Sequence, residues 1–199
     1  MNKYPTSIAD APTFLFYIPP LKSGKTGDKT VNSDPEKYLM SADFKISDQN
    51  QETIYEAKFN LATQSGLLRL SLPVSVSELF VATDKPYFWS FQVNCDNTGD
   101  LSGSATIEGK ILRLPVYTEI EKKLLQPMSA YERFKLYQSI GLEYDALIIL
   151  EELRRQNPND AALTTTWENL LTSHGFEMLI GVPSLDFEMN SGSPQLQNN

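Results

Sequence analysis

The sequence predicts an α+β fold: an N-terminal antiparallel β-sandwich over residues 1–117, then a small α-helical module over residues 118–180 packed on it. Three observations predict it. The stretch Tyr87-Phe88-Trp89-Ser90-Phe91-Gln92-Val93-Asn94-Cys95 puts Tyr87, Trp89, Phe91, Val93 and Cys95 on one parity, and Ser90, Gln92 and Asn94 on the other. A strand sends alternate side chains to opposite faces, so this is a half-buried strand with an aromatic inner face. Other short alternating runs lie on both sides of it, separated by Gly, Pro, Asn and Asp. After Pro115 the apolar spacing changes from two to about 3.6, which marks a boundary near Tyr117.

The first strand is expected over Thr13 to Ile18, with Phe14, Phe16 and Ile18 on one face and Leu15 and Tyr17 on the other. Apolar residues on both faces suggest an interior strand, or one covered from outside. Pro19-Pro20 ends it, and Lys22 to Glu36 reads as a polar loop. Ser41 to Ile46 alternates with Ala42, Phe44 and Ile46 inward, and Ile54 to Leu61 returns after the turn Ser47-Asp48-Gln49-Asn50-Gln51, a hairpin signal. Gly66 opens a strand with Leu68, Leu70 and Leu72 inward, closed by Pro73. Val74 to Lys85 connects it to the aromatic strand, which Pro86 precedes. Past the turn at Asp96 to Gly103, the residues Ala105, Ile107, Gly109 and Ile111 alternate along a last strand to Leu114 and Pro115. Six or seven short strands at this spacing suit a sandwich, and the final pair suits the closing hairpin of an immunoglobulin- or fibronectin-like fold.

Helices are expected at about Glu119–Gln126, Ala130–Ile140, Glu143–Gln156 and Ala161–His174. Thr118 with Glu121, and Ser129 with Glu132, have capping-box spacing. Tyr131, Phe134 and Tyr137 make a stripe on the second helix, and Ala146, Leu147, Leu150 and Leu153 one on the third. Asn157-Pro158 stops the third, Asp160 can cap the fourth, and Trp167, Leu170 and Leu171 line it before Gly175. From Gly181 to Asn199 the Ser, Asn, Gln, Gly and Pro content reads as a disordered tail.

Gly141-Leu142-Glu143 and Gly175-Phe176-Glu177 stand 34 positions apart, as do Ser139 and Ser173. Thirty-four is the tetratricopeptide period, and Gln126 to Asp160 reads as one such unit, although Phe134 takes a position usually small. One and a half units cannot bury their own faces, so these helices are expected to dock on the sandwich or on a partner.

A net charge of −8 and a pI near 4.7 disfavour nucleic acid and anionic membrane surfaces, whose phosphates need clustered Lys and Arg. No apolar run reaches the roughly 18 residues of a membrane span. No leader is read in Met1 to Pro12. One cysteine, Cys95, and one histidine, His174, leave no disulfide, no cysteine-built zinc site and no multi-histidine metal site, so no cofactor is expected.

The segments Pro12-Thr13-Phe14-Leu15-Phe16-Tyr17-Ile18-Pro19, Tyr87 to Cys95, Tyr144-Asp145-Ala146-Leu147, Leu153-Arg154-Arg155, Asn157-Pro158 and Trp167-Glu168-Asn169-Leu170-Leu171 occur in that order. Over about Ala11 to Ile180 they resemble a cyanobacterial family of uncharacterised proteins, the domain of unknown function numbered 928. The resemblance transfers no activity and no site residues. Its members commonly begin with a leader peptide and a Gly-rich segment containing a cysteine, which implies an extracytoplasmic place for full-length relatives.

Gly24-Lys25-Thr26 has Pro19 where a phosphate-binding loop needs its first glycine, so a solvated loop explains it. His174, the histidine any Ser-His-Asp arrangement would need, falls at a helix end where a cation offsets the dipole. Cys95 points inward as an inert core thiol. Asp96, Asn97 and Asp100 could surround calcium, but a turn requires the same residues. Glu143, Asp145, Glu151 and Glu152, near Arg154, Arg155 and Lys135, read as a solvated helix face.

No catalytic constellation emerges, and the expected function is that of a non-enzymatic interaction or envelope-associated structural module. Its partner would be a protein or peptide, with Tyr131, Tyr137 and Trp167 as candidate anchors. The alternative is a carbohydrate-binding or hydrolytic envelope module, which wants an exposed aromatic platform beside carboxylates.

Overall fold

The structure, a computed structural model, describes residues 4–20, 40–61, 65–94 and 104–185. Among them the fold is mixed α+β, with two sheets and four helices. The strands are β1 (Thr6–Ser7), β2 (Thr13–Ile18), β3 (Met40–Ser47), β4 (Thr53–Leu61), β5 (Gly66–Ser71), β6 (Pro86–Asn94), β7 (Ala105–Arg113) and β8 (Ser184–Leu185). The helices are α1 (Thr118–Leu124), α2 (Ala130–Ser139), α3 (Glu143–Gln156) and α4 (Ala161–Ser173). The larger sheet has the order β1-β7-β6-β3-β4 and the smaller β2-β5-β8. The pairing is not purely antiparallel, as the sequence suggested: β1 runs parallel to β7, and β5 parallel to β8. A hydrophobic pattern specifies which face of a strand is buried, but says nothing of its direction.

Two compact units make up the chain: Met1–Leu15, Leu70–Tyr87 and Lys110–Val182 form one, and Phe16–Arg69, Phe88–Gly109 and Pro183–Asn199 the other. β7 ends at Arg113 and α1 begins at Thr118, so the chain passes from strand to helix where the apolar period changes.

In the second unit β3 pairs antiparallel with both β4 and β6. The register sets Phe44 opposite Phe91, and Ile46 opposite Trp89, so the inward parities of both strands share a face. Phe16 from the smaller sheet lies against that face, stacked on Phe91 at 4.1 Å and edge-on to Trp89 at 5.6 Å. The β3–β4 turn is held by Asp48, whose Oδ1 accepts from the amides of Asn50 at 2.8 Å and Glu52 at 2.9 Å. Gln51 there takes φ +67°, a left-handed conformation that polar turn residues tolerate better than apolar ones. Trp89 covers Gly109 so closely that a Cβ there would overlap its ring.

Two expectations change in this unit. Ala105 and Ile107, read as one parity of an alternating strand, are exposed, Ile107 by 51%, so alternation there does not mark a buried face. Ser184 and Leu185, read as part of a disordered tail, pair with Leu67 and Leu68. Residues 186–199 lie outside the described residues, as do Gly24-Lys25-Thr26, Cys95 and the Asp96–Asp100 turn.

In the first unit, the connection after β5 is not a bare link. It turns through a short 3-10 segment at Val74–Val76 and buries Val76 and Phe80. Phe80 stacks on Tyr87 at 3.8 Å, and the Tyr87 hydroxyl accepts from the Ala82 amide at 2.9 Å. Among the described residues β2 is an edge strand, and its start is covered by α3, where the Tyr144 hydroxyl donates to Thr13 O at 2.6 Å.

The four helices form where the spacing placed them, with different capping at the first. Ser129 and Glu132 close a full capping box. Thr118 does not cap α1, because Tyr117 holds the N-cap position and Thr118 is already helical. Asp160 caps α4, its carboxylate accepting from Ala162 N at 2.8 Å and Leu163 N at 3.1 Å. Asp160→Ala is expected to lower stability by about 1 kcal/mol, read as a shift in the urea midpoint with an unchanged slope.

Candidate functional site

The helical part of the first unit carries all three candidate anchors, Tyr131, Tyr137 and Trp167. Its organising element is α3, which packs against α2, α4 and β1. A helix touched on three sides loses its solvated face. Asp145 and Glu151, one residue to either side of the Ala146/Leu150 stripe, are accordingly buried and not solvent-facing as read from the charge pattern. Glu143 keeps its place on an exposed helix end.

Asp145 is 7% exposed. Its Oδ1 accepts from the Ser7 hydroxyl at 2.6 Å and its Oδ2 from the Ile8 amide at 2.9 Å, while Ser7 Oγ itself accepts from Ala9 N at 3.0 Å. Burial pushes the carboxyl above its ordinary range, opposed by those two hydrogen bonds. Both oxygens are engaged by groups that fix β1 to the first turn of α3, the geometry of a staple between strand and helix.

The three candidate anchors do not converge. Tyr131 is 43% exposed, tilted against Phe134 at 5.8 Å with Lys135 Nζ 5.5 Å from its ring. Tyr137, six residues on, points elsewhere around α2 and is half-buried. Burial raises its phenol pKa, and the charge of Asp145 adds to the rise. Trp167 is 1% exposed beneath the Arg154 guanidinium, 4.8 Å from its ring. Its Nε1, like Arg154 Nε, meets no hydrogen-bond partner among the described residues. Burial lowers the Arg154 pKa, against Glu151 and Glu168, which raise it. Trp167 is therefore core between α3 and α4. Of the three, Tyr131 is the most open to solvent, Tyr137 is half-buried and Trp167 is enclosed.

His174 stands between Ser173 and Glu143: Nδ1 is 3.0 Å from Ser173 Oγ and Nε2 is 2.8 Å from Glu143 Oε2. The order of groups resembles a nucleophile–base–acid chain, but the bonding is that of a helix end. Ser173 Oγ donates to Leu170 O at 2.8 Å, just as Ser139 Oγ donates to Leu136 O at 2.7 Å. Among the described residues no group of three or more His, Cys, Asp or Glu could hold a metal.

On the outer side of β3, β4 and β6 a polar row satisfies itself. Asn94 Nδ2 donates to Asp43 at 2.8 Å, Gln92 Nε2 to Asn94 at 2.8 Å, and Lys58 pairs with Asp43 at 3.2 Å.

A family model described as Domain of Unknown Function (DUF928) matches residues 1–184. The chain belongs to the DUF928 family. No curated protein matches it. The match runs through both sheets and all four described helices, so the DUF928 signature covers the staple of Ser7 and Asp145 as well as the aromatic face of β6. No helix of the described residues in this DUF928 chain is long and apolar enough to cross a membrane.

Sequence reasoning missed the Ser7–Asp145 staple, and no local signal could have found it. The partners lie 138 residues apart, and a lone Ser or Asp carries no mark of its mate.

Proposed function

We propose that this DUF928 protein is a non-enzymatic interaction module that binds a protein or peptide through its helical part, in an envelope-associated setting. The supporting observation is where large apolar side chains stay exposed. Among the described residues Tyr117, Leu125, Tyr131, Phe176, Met178 and Ile180 are exposed in the stretch from Tyr117 to Ile180, Met178 by 71%, while Tyr4, Val74, Leu79, Val81, Ile107 and Val116 are exposed before it. The reading draws on the helical set, since apolar and aromatic side chains left in solvent are what a partner surface uses.

We propose in addition an immunoglobulin-like arrangement of the strands, followed by a tetratricopeptide-like hairpin of α2 and α3. For the hairpin, support comes from the repeat itself. Gly141 and Gly175 both take φ +76°, which favours glycine. The next amides reach back alike, Leu142 N to Tyr137 O at 2.9 Å and Phe176 N to Leu171 O at 2.9 Å. After the first turn comes the long helix α3; after the second, the 3-10 turn Glu177–Leu179. The envelope setting rests on the resemblance to leader-bearing relatives.

The test is affinity capture from the source organism with wild type and with Tyr131→Ala and Met178→Ala, alongside thermal melts. Loss of a reproducible partner at unchanged melting temperature is the expected result, with at least a tenfold fall in affinity for a hot-spot aromatic, about 1.4 kcal/mol or more. An unchanged partner set in both variants overturns the reading.

A further inference from the structure

We infer that His174 is a proton-operated clasp between the C-terminal end of α4 and the first turn of α3, closed while its ring carries both protons. The geometry assigns it. Nε2 faces Glu143 Oε2 at 2.8 Å and Nδ1 faces Leu170 O at 2.9 Å, and both are oxygens without a proton to give. A neutral imidazole has one N–H and one lone pair. Either neutral tautomer therefore sets a ring lone pair against an oxygen lone pair at one of the two contacts. Imidazolium satisfies both.

Ser173 does not remove the conflict. To donate to a bare Nδ1 it would have to withdraw its proton from Leu170 O, leaving that carbonyl without either donor on the ring side. Among the described residues, Glu143 from α3 is the charged group that faces the ring, and α4 itself presents Leu170 O and Ser173 Oγ. The bond to Glu143, then the bond to Leu170, raise the His174 pKa, partly offset by burial. The stabilisation is complete below the ordinary histidine value, and is lost as the pH rises through the raised folded-state value. The clasp thus opens with alkalinity, at the corner where Gly175 N bonds Thr172 O at 3.2 Å and Phe176 N bonds Leu171 O at 2.9 Å.

The chain has one histidine, so its ring resonances in a proton NMR titration need no assignment. In the wild-type protein the midpoint is expected above that of a free histidine. In Glu143→Gln it is expected to fall toward it. Hydrogen-exchange protection at Gly175 and Phe176, corrected for intrinsic rates, should drop about two- to fivefold across the wild-type midpoint, the scale of one exposed ion pair, and by less in the variant. A midpoint at the free value, a midpoint unmoved by Glu143→Gln, or protection that stays flat across the titration overturns the clasp.

Discussion

Phe91→Ala is expected to lower stability by about 3–5 kcal/mol, the range for emptying a buried aromatic site. Phe91 is 2% exposed, stacked on Phe16 at 4.1 Å and tilted against Phe59 at 6.1 Å, and it sits opposite Phe44 in the β3–β6 register. Three aromatic rings thus lose a packing partner at once, and neighbours anchored on separate strands cannot all move in to fill the space. The offset pairing of rings adds to the loss beyond area alone. Ser90→Ala, one residue away on the opposite face, is the control and should stay within about 0.5 kcal/mol. Urea unfolding of both variants reads the difference. Equal losses at the two positions would mean that the aromatic face of β6 is not the core of this unit.

Asp145→Ala is expected to lower stability by roughly 2–6 kcal/mol, because it strands two buried donors, the Ser7 hydroxyl and the Ile8 amide, at about 1–3 kcal/mol each. Ser7→Ala, which leaves the Ile8 bond intact, should lose less. The pH dependence has an unusual sign for an aspartate. Burial holds this carboxyl above its ordinary range, so the folded protein binds its proton more readily than the unfolded chain does. Stability from the group is then complete in acid, below the ordinary aspartate value, and falls as the pH rises through the raised one. The gap between wild type and Asp145→Ala should therefore be wider in mildly acidic buffer than at neutral pH. Urea midpoints at the two pH values measure it, and a gap that widens toward neutrality would refute the staple as described.

Local pattern carried a good part of this fold. The inward parity of Ala42, Phe44 and Ile46, the hairpin turn at Asp48, the cap at Asp160 and the glycine stops at Gly141 and Gly175 each depend on a few neighbouring residues, and each was legible. The candidate site was less so. Tyr131, Tyr137 and Trp167 look alike as aromatics on helical stripes, yet one is exposed, one half-buried and one enclosed. Helical period says which residues share a face, but not how many faces a neighbour will cover.

By itself the sequence determined where the chain pleats, where it coils and where it turns, because propensity, alternation and capping act over a handful of residues. Only the tertiary structure decided that β1 runs parallel to β7 and β8 parallel to β5, that α3 is enclosed by α2, α4 and β1, and that Asp145 meets Ser7. Those contacts join residues far apart along the chain. Their energy comes from excluding water and satisfying buried donors, quantities that do not exist until the chain has closed around them.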